Sequence, residues 1–93
     1  MAATFEVQIL TPEETVFAGK AVHLLVPGSE GYLGVLAHHA PLMTALASGR
    51  LVVDGVDGLE RIYHVDGGFL EVSGNSARVL ADSLQSDEIV ALD

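Results

Sequence analysis

Four histidines, His23, His38, His39 and His64, are the residues best suited to hold a metal ion. His38 and His39 are adjacent, and neighbours on an extended chain point to opposite sides, so they grip one ion only where a corner twists them together. His64 has Asp66 two residues on, and His23 has no such partner. No metal site is expected. A hydrolytic serine needs a base and an orienting carboxylate. Ser29, Ser48, Ser73, Ser76, Ser83 and Ser86 all stand in turn-like or terminal settings, where serine caps and bends the chain. Glu13-Glu14 follows Thr11-Pro12 and reads as a solvated turn. Gly28-Ser29-Glu30-Gly31-Tyr32-Leu33-Gly34 has the glycines of a phosphate cradle. No lysine closes it, and a strand rather than a helix follows. Lys20, the one lysine, would suit an acidic all-β lipoyl or biotinyl carrier, but it lacks the flanking Asp or Met of a modified lysine. With zero cysteines, a thiolate zinc site, a disulfide scaffold and a Cys nucleophile are excluded. The expectation is a chain without a catalytic residue or a cofactor.

Balance of charge narrows the partners. Thirteen Asp and Glu against four Lys and Arg give a net charge of −9 in 93 residues, which repels nucleic-acid phosphates and anionic lipid. Hydrophobic residues at 49% and charged ones at 18% exclude disorder by composition. No apolar run reaches the roughly 18 residues of a membrane span, and the start resembles neither a signal nor a transit peptide. Membrane insertion is not expected.

Ten glycines punctuate short runs of Val, Leu and Ile, and no 3.6-residue pattern holds over the first eighty positions. Phe5, Val7 and Ile9 alternate with Thr4, Glu6 and Gln8, as in a half-buried strand. Further short strands are expected at Val16–Ala18, Lys20–Val26, Tyr32–Leu36 and Leu42–Leu46, the last two split by a corner at His38-His39-Ala40-Pro41. Leu51–Val53 and Leu59–Val65 form a hairpin across Asp54-Gly55-Val56-Asp57-Gly58, its two Asp-Gly pairs supplying positive-φ positions. Asp66-Gly67-Gly68 breaks the chain, and Phe69–Ser73 pairs with Ala77–Ala81 across Ser73-Gly74-Asn75-Ser76. Near the end, Ser86 can cap one helical turn carrying Asp87 and Glu88. The fold class expected is all-β: a small antiparallel β-sandwich of about ten short strands over residues 1–84, with at most one helical turn in a short tail over 85–93.

Two segments carry more apolar residues than one buried face needs. Val22–Val26 is apolar on both faces apart from His23, and among Leu42, Met43, Thr44, Ala45 and Leu46 only Thr44 is polar. A chain of this mass exposes roughly 5,100 Å², and about 800 Å² is one partner's share of an ordinary interface. The surplus can be a docking face or a second face covered by loops.

Gly28-Ser29-Glu30-Gly31-Tyr32-Leu33-Gly34-Val35, then His39-Ala40-Pro41-Leu42 and Gly49, resembles the signature of the epsilon subunits of F-type ATP synthase. Thr11-Pro12-Glu13, Phe17-Ala18-Gly19, Gly67-Gly68-Phe69-Leu70-Glu71-Val72 and Val79-Leu80-Ala81-Asp82 continue the likeness, which covers about residues 5 to 83. The resemblance implies a ten-stranded sandwich in the central stalk, between the gamma subunit and the membrane c-ring. Its implied role is non-catalytic: it passes torque from proton flow toward the alpha and beta subunits that make ATP. By position, Ser29, Glu30, Gly31, Tyr32 and Leu33 match the contact with the polar loops of the c-ring. His39, Pro41, Leu42, Met43 and Thr44 match the region against gamma.

These residue types suit the implied roles. Gly31 and Gly34 allow a sharp turn and close approach, Tyr32 offers a rigid amphipathic anchor, and Pro41 fixes the corner. Ala37-His38 stands where the family commonly has Pro-Gly, leaving the corner without those turn residues. Typical bacterial members continue into two C-terminal helices that brake ATP hydrolysis, whereas this sequence stops at Asp93, so coupling without that brake is expected. The implied location is the cytoplasmic face of a bacterial inner membrane, with the stromal face of a thylakoid second. A generic acidic sandwich adaptor or a carrier domain is the alternative.

Overall fold

The computed structural model describes residues 3–92. Seven strands follow one another: β1 Phe5–Leu10, β2 Thr15–Gly28, β3 Gly31–Val35, β4 Leu42–Gly55, β5 Leu59–Ser73, β6 Ser76–Ala81 and β7 Leu84–Ala91. The number is smaller than ten because β2, β4 and β5 are long and each serves two sheets. In the first sheet, β7, residues 59–65 of β5, 49–54 of β4, 21–25 of β2 and β3 lie side by side. The second holds residues 15–21 of β2, β1, β6, 68–73 of β5 and 42–46 of β4. Counted by segment, the sandwich has its ten strands. All neighbours are antiparallel except β1 and β6, which run parallel.

Alternation builds the core where expected. Phe5, Val7 and Ile9 are buried while Glu6 and Gln8 are exposed. Leu24, Val26, Val35, Leu51, Val53, Val65, Leu70 and Val79 have no exposure, and no polar or charged residue is buried among the described residues. The accessible surface, 5243 Å², is close to the scaling value for a free-standing domain. The apolar run at Val22–Val26 has a specific cause. A register shift between Ala21 and His23 marks a bulge at Val22, so Ala21 and Leu24 both face inward although three residues apart.

Bends replace some expected breaks. Asp66-Gly67-Gly68 does not end a strand but lets β5 turn from one sheet into the other, with Gly67 at φ 83° and Gly68 at φ 132°. A Cβ on Gly68 would lie 2.1 Å from the Leu80 carbonyl oxygen. Ser48 and Asp66 pair at the same corner, where the Ser48 hydroxyl donates to the Asp66 carboxylate. At the β4–β5 turn only Gly58 has positive φ, at 80°. Gly55 leaves room for the Asp57 carboxylate, since a Cβ there would meet Asp57 Oδ1 at 2.6 Å and displace it from Arg61 and the Leu59 N–H. Arg61 clips that turn, donating to Asp57 Oδ2 at 2.8 Å while its guanidinium lies 5.1 Å from the Phe17 ring centre. Its proximity holds the Asp57 carboxyl below the usual range.

The helical turn capped by Ser86 does not form. Residues 84–91 run as β7 against β5, with Val65 opposite Leu84, Tyr63 opposite Ser86 and Ile62 opposite Glu88. Leu84 packs on the core, and pairing satisfies a β5 edge that one weak helical turn would leave open. The boundary expected after residue 84 therefore falls inside a strand, while Met1, Ala2 and Asp93 lie outside the described residues.

The corner lacking Pro-Gly is held another way. His38 takes a left-handed φ of 63°, and its N–H donates to Asn75 Oδ1 at 2.8 Å. Asn75 lies in the Gly74-Asn75 turn, both residues at positive φ, and its Nδ2 donates to the Thr4 carbonyl at 3.0 Å. Left-handed backbone costs a residue with a Cβ roughly 1–2 kcal/mol, partly offset by glycine's larger unfolded freedom. His38→Gly should therefore stabilise the domain by roughly 0.5–1 kcal/mol, read as a higher Tm in calorimetry. A lower Tm would assign the His38 side chain a structural role.

Candidate docking faces

The β2–β3 hairpin presents Ser29 and Glu30 at a two-residue tip between Gly28 and Gly31. Both ends need glycine: a Cβ on Gly28 would meet the Gly31 carbonyl oxygen at 2.8 Å, and Gly31 has φ 131°. The Ser29 N–H donates to the Ala45 carbonyl at 2.9 Å, tying the tip to β4. Tyr32 is 58% exposed, yet its hydroxyl accepts from the Arg50 N–H at 3.0 Å. Gly49 makes that seat possible, because a Cβ there would meet the Tyr32 hydroxyl at 2.7 Å and Pro27 at 2.8 Å. The tyrosine is thus both a surface aromatic and a pinned part of the scaffold. Leu33 is half-buried and packs against the core.

The second group of matched residues divides between faces. His39 sits beside its own corner, with Nδ1 2.8 Å from the Ala40 carbonyl oxygen, and Pro41 is exposed. Leu42 and Thr44 are half-buried and line a hollow of about 280 Å³ with Gly28 and residues 30–33. Two sets assigned to different partners therefore meet at one end of the molecule. Met43, one residue out of phase, is 68% exposed on the other side of β4.

Around Met43 the outer side of the second sheet carries an apolar face. Ala45 pairs with Phe69, Phe69 with Leu80, and Leu80 lies opposite Leu10. Phe69 is 50% and Leu80 48% exposed. With Met43, Glu71, Arg78 and Asp82 they surround a hollow of about 290 Å³. Neither Phe69 nor Leu80 is among the residues that the family likeness matches to a partner. Their signal was available: each is the outward member of an otherwise regular alternation, Phe69 against buried Leu70 and Leu80 against buried Val79 and Ala81. Large apolar groups contiguous on one solvent face mark an interaction site.

Other polar candidates do not converge. Among the described residues no three His, Asp or Glu side chains gather where they could hold a metal ion. Lys20 lies within β2 opposite Glu6 rather than at a hairpin tip. No helix of the described residues is long and apolar enough to cross a membrane. A rigid sandwich with a pinned hairpin tip and an apolar sheet face has the anatomy of a protein-docking module.

Comparison with known proteins supplies the family. Residues 4–87 match the family model for the beta-sandwich domain of the ATP synthase delta/epsilon chain, and the chain belongs to that family. It is 37% identical over 82 residues to the ATP synthase epsilon chain of Dichelobacter nodosus, covering 88% of this chain and 57% of that one. Against the epsilon chain of Chromohalobacter salexigens it is 43% identical over 81 residues, 87% of this chain and 57% of the relative. It thus spans little more than half the length of these relatives. The fold also matches a chain in the cryo-EM structure of the Euglena gracilis mitochondrial ATP synthase (OSCP/F1/c-ring in rotational state 1), with TM-score 0.84 and 23% identity. That match covers 92% of this chain and 55% of the other. A chain of the Tetrahymena thermophila mitochondrial ATP synthase central stalk and c-ring matches at TM-score 0.73 and 19% identity, over 89% and 66%.

Proposed function

We propose that this chain is a non-catalytic rotor subunit of an F-type ATP synthase that grips gamma with one surface and the c-ring with another. The observation that carries the reading is the bare apolar face of Met43, Phe69 and Leu80 on a family sandwich. Gamma occupies that face and the adjoining corner at His39 and Pro41. The hairpin tip, Ser29 to Tyr32, meets the polar loops of the ring. Torque passes between them without hinge motion because Tyr32 is pinned to β4 and Ser29 to Ala45, so the tip cannot swing independently of the sheet. Proton flow through the ring then drives ATP synthesis at the alpha and beta subunits. The subunit works as a peripheral protein at the cytoplasmic face of a bacterial inner membrane.

Tyr32→Asp tests the ring contact. The variant loses one hydrogen bond and some cover over Pro27, about 1 kcal/mol of stability, while its attachment to c-rings in a co-sedimentation assay falls at least about tenfold. Unchanged attachment would remove Tyr32 from the contact, and a collapse in Tm would make it a core residue.

A further inference from the structure

The outer side of the first sheet, facing away from the Phe69 surface, carries an electrostatic conflict. Asp54 of β4 pairs directly with Glu60 of β5, and Glu60 with Val90 of β7, beside Glu88. Like charges directly opposite on neighbouring strands destabilise a sheet. The Asp54 side chain is only 19% exposed, and its Oδ1 is buried with no hydrogen-bond partner in the protein. His23 Nδ1 stands 3.7 Å from Asp54 Oδ2, too far for a hydrogen bond. Arg50 lies farther along β4. The remaining cations are elsewhere: Arg61 serves Asp57, Arg78 donates to Gln8 on the other sheet, and Lys20 lies opposite Glu6.

The same carboxylates border an apolar floor. Leu25, Val52 and Ile62, with His23, Arg50, Asp54 and Glu60 around them, form a hollow of about 240 Å³. Val52 is 8% exposed, and Leu25 and Ile62 are half-buried. A hydrated metal ion has no use for such a floor, whereas the stem of a long cationic side chain does. We propose that this hollow receives a lysine or arginine side chain from a protein partner, its stem over Leu25, Val52 and Ile62 and its charged head between Asp54 and Glu60. The inference does not depend on which protein occupies the Phe69 face.

Protonation behaves as the conflict requires. A protonated Glu60 can donate to Asp54, which favours the neutral acid; burial and the Asp54 charge push the same way, Arg50 opposes them, and Glu88 adds a little. A carboxyl raised in the folded state contributes stability below its unfolded value and loses it as pH rises through the raised one. At neutral pH the opposed carboxylates are therefore a cost that a cation relieves.

The test begins with the isolated chain, using n-butylguanidinium as the probe and n-butanol as the uncharged control, followed by amide NMR. The probe should shift Leu25, Val52, Asp54, Glu60 and Ile62 selectively. Asp54→Asn should weaken it at least about tenfold while raising Tm, since the variant removes repulsion. An equal response to n-butanol, or an unweakened response in Asp54→Asn, would overturn the site. Preference for a divalent metal ion would do so as well. A second arm purifies the native assembly through a tag on this chain and applies carbodiimide with glycine ethyl ester. Protection of Asp54 and Glu60 relative to the isolated chain, or an amide cross-link from either to a lysine of another protein, is expected. A cross-link to a second copy of this chain would overturn the partner assignment. Gamma retained with both carboxyls still fully labelled would overturn this inference and leave the Phe69 face untouched.

Discussion

Gly68→Ala should lower the Tm of the isolated domain by at least about 12 °C, a loss of about 3 kcal/mol or more. Two costs add. At φ 132° a residue with a Cβ is strained by roughly 1–3 kcal/mol. The added methyl would also stand 2.1 Å from the Leu80 carbonyl oxygen and 2.9 Å from the Ala81 Cα, both backbone atoms of β6. Relief requires β5 and β6 to part, and overpacking of that kind costs about 1–3 kcal/mol more. In a domain of this length each kcal/mol moves Tm by roughly 4–8 °C. Gly74→Ala is the control, since φ is 57° there and nothing lies within 4 Å of the built Cβ. It should lose only about 1–2 kcal/mol. Equal Tm values for the two variants would show that the β5 bend does not depend on Gly68.

One residue on, the expectation reverses: binding changes far more than stability. Phe69→Asp should weaken binding to purified gamma at least about thirtyfold, or 2 kcal/mol, in titration calorimetry. The ring is half exposed at the middle of the apolar face, between Ala45 and Leu80. Placing a carboxylate there buries an unpaired charge when the partner docks. The free domain should lose only about 1 kcal/mol of stability, the share of the ring that is already covered. Val56→Asp changes a residue equally exposed, at 56%, but in the β4–β5 turn, and should leave gamma affinity unchanged. A Phe69→Asp variant that binds gamma normally would move the interface off this face.

Much of the architecture was legible in the residues because alternation is a local signal. Phe5, Val7 and Ile9 announced β1, and Gly74-Asn75 and Asp57-Gly58 announced their turns. One expected break is a bend: Gly67-Gly68 read as a strand end, yet hydrogen bonding continues on both sides of it, so a single long strand serves two sheets. The bulge at Val22 hid the phase of β2, because one extra residue inverts every later side chain. Ser86 misled for a different reason. A capping serine is a local preference, and the open edge of β5 is a tertiary demand that outweighs it.

The site was partly legible in the same sense. Met43 stood out as apolar and out of phase with Leu42, and it is exposed. Phe69 and Leu80 each stood in an expected strand beside buried neighbours, and only pairing across β4, β5 and β6 brings them onto one face with Met43. Tyr32 showed its anchor character, while its fastening to Arg50 spans 18 residues of sequence and needed the fold. The Asp54–Glu60 opposition likewise exists only once the hairpin register is known.

The most direct measurement is a cryo-EM map of the native assembly purified through this chain. The account predicts the β2–β3 tip against the loops of the c-ring, with density from gamma covering Met43, Phe69 and Leu80. A map in which this chain is absent from the rotor, or in which that apolar face stays open to solvent while gamma lies elsewhere, would contradict it.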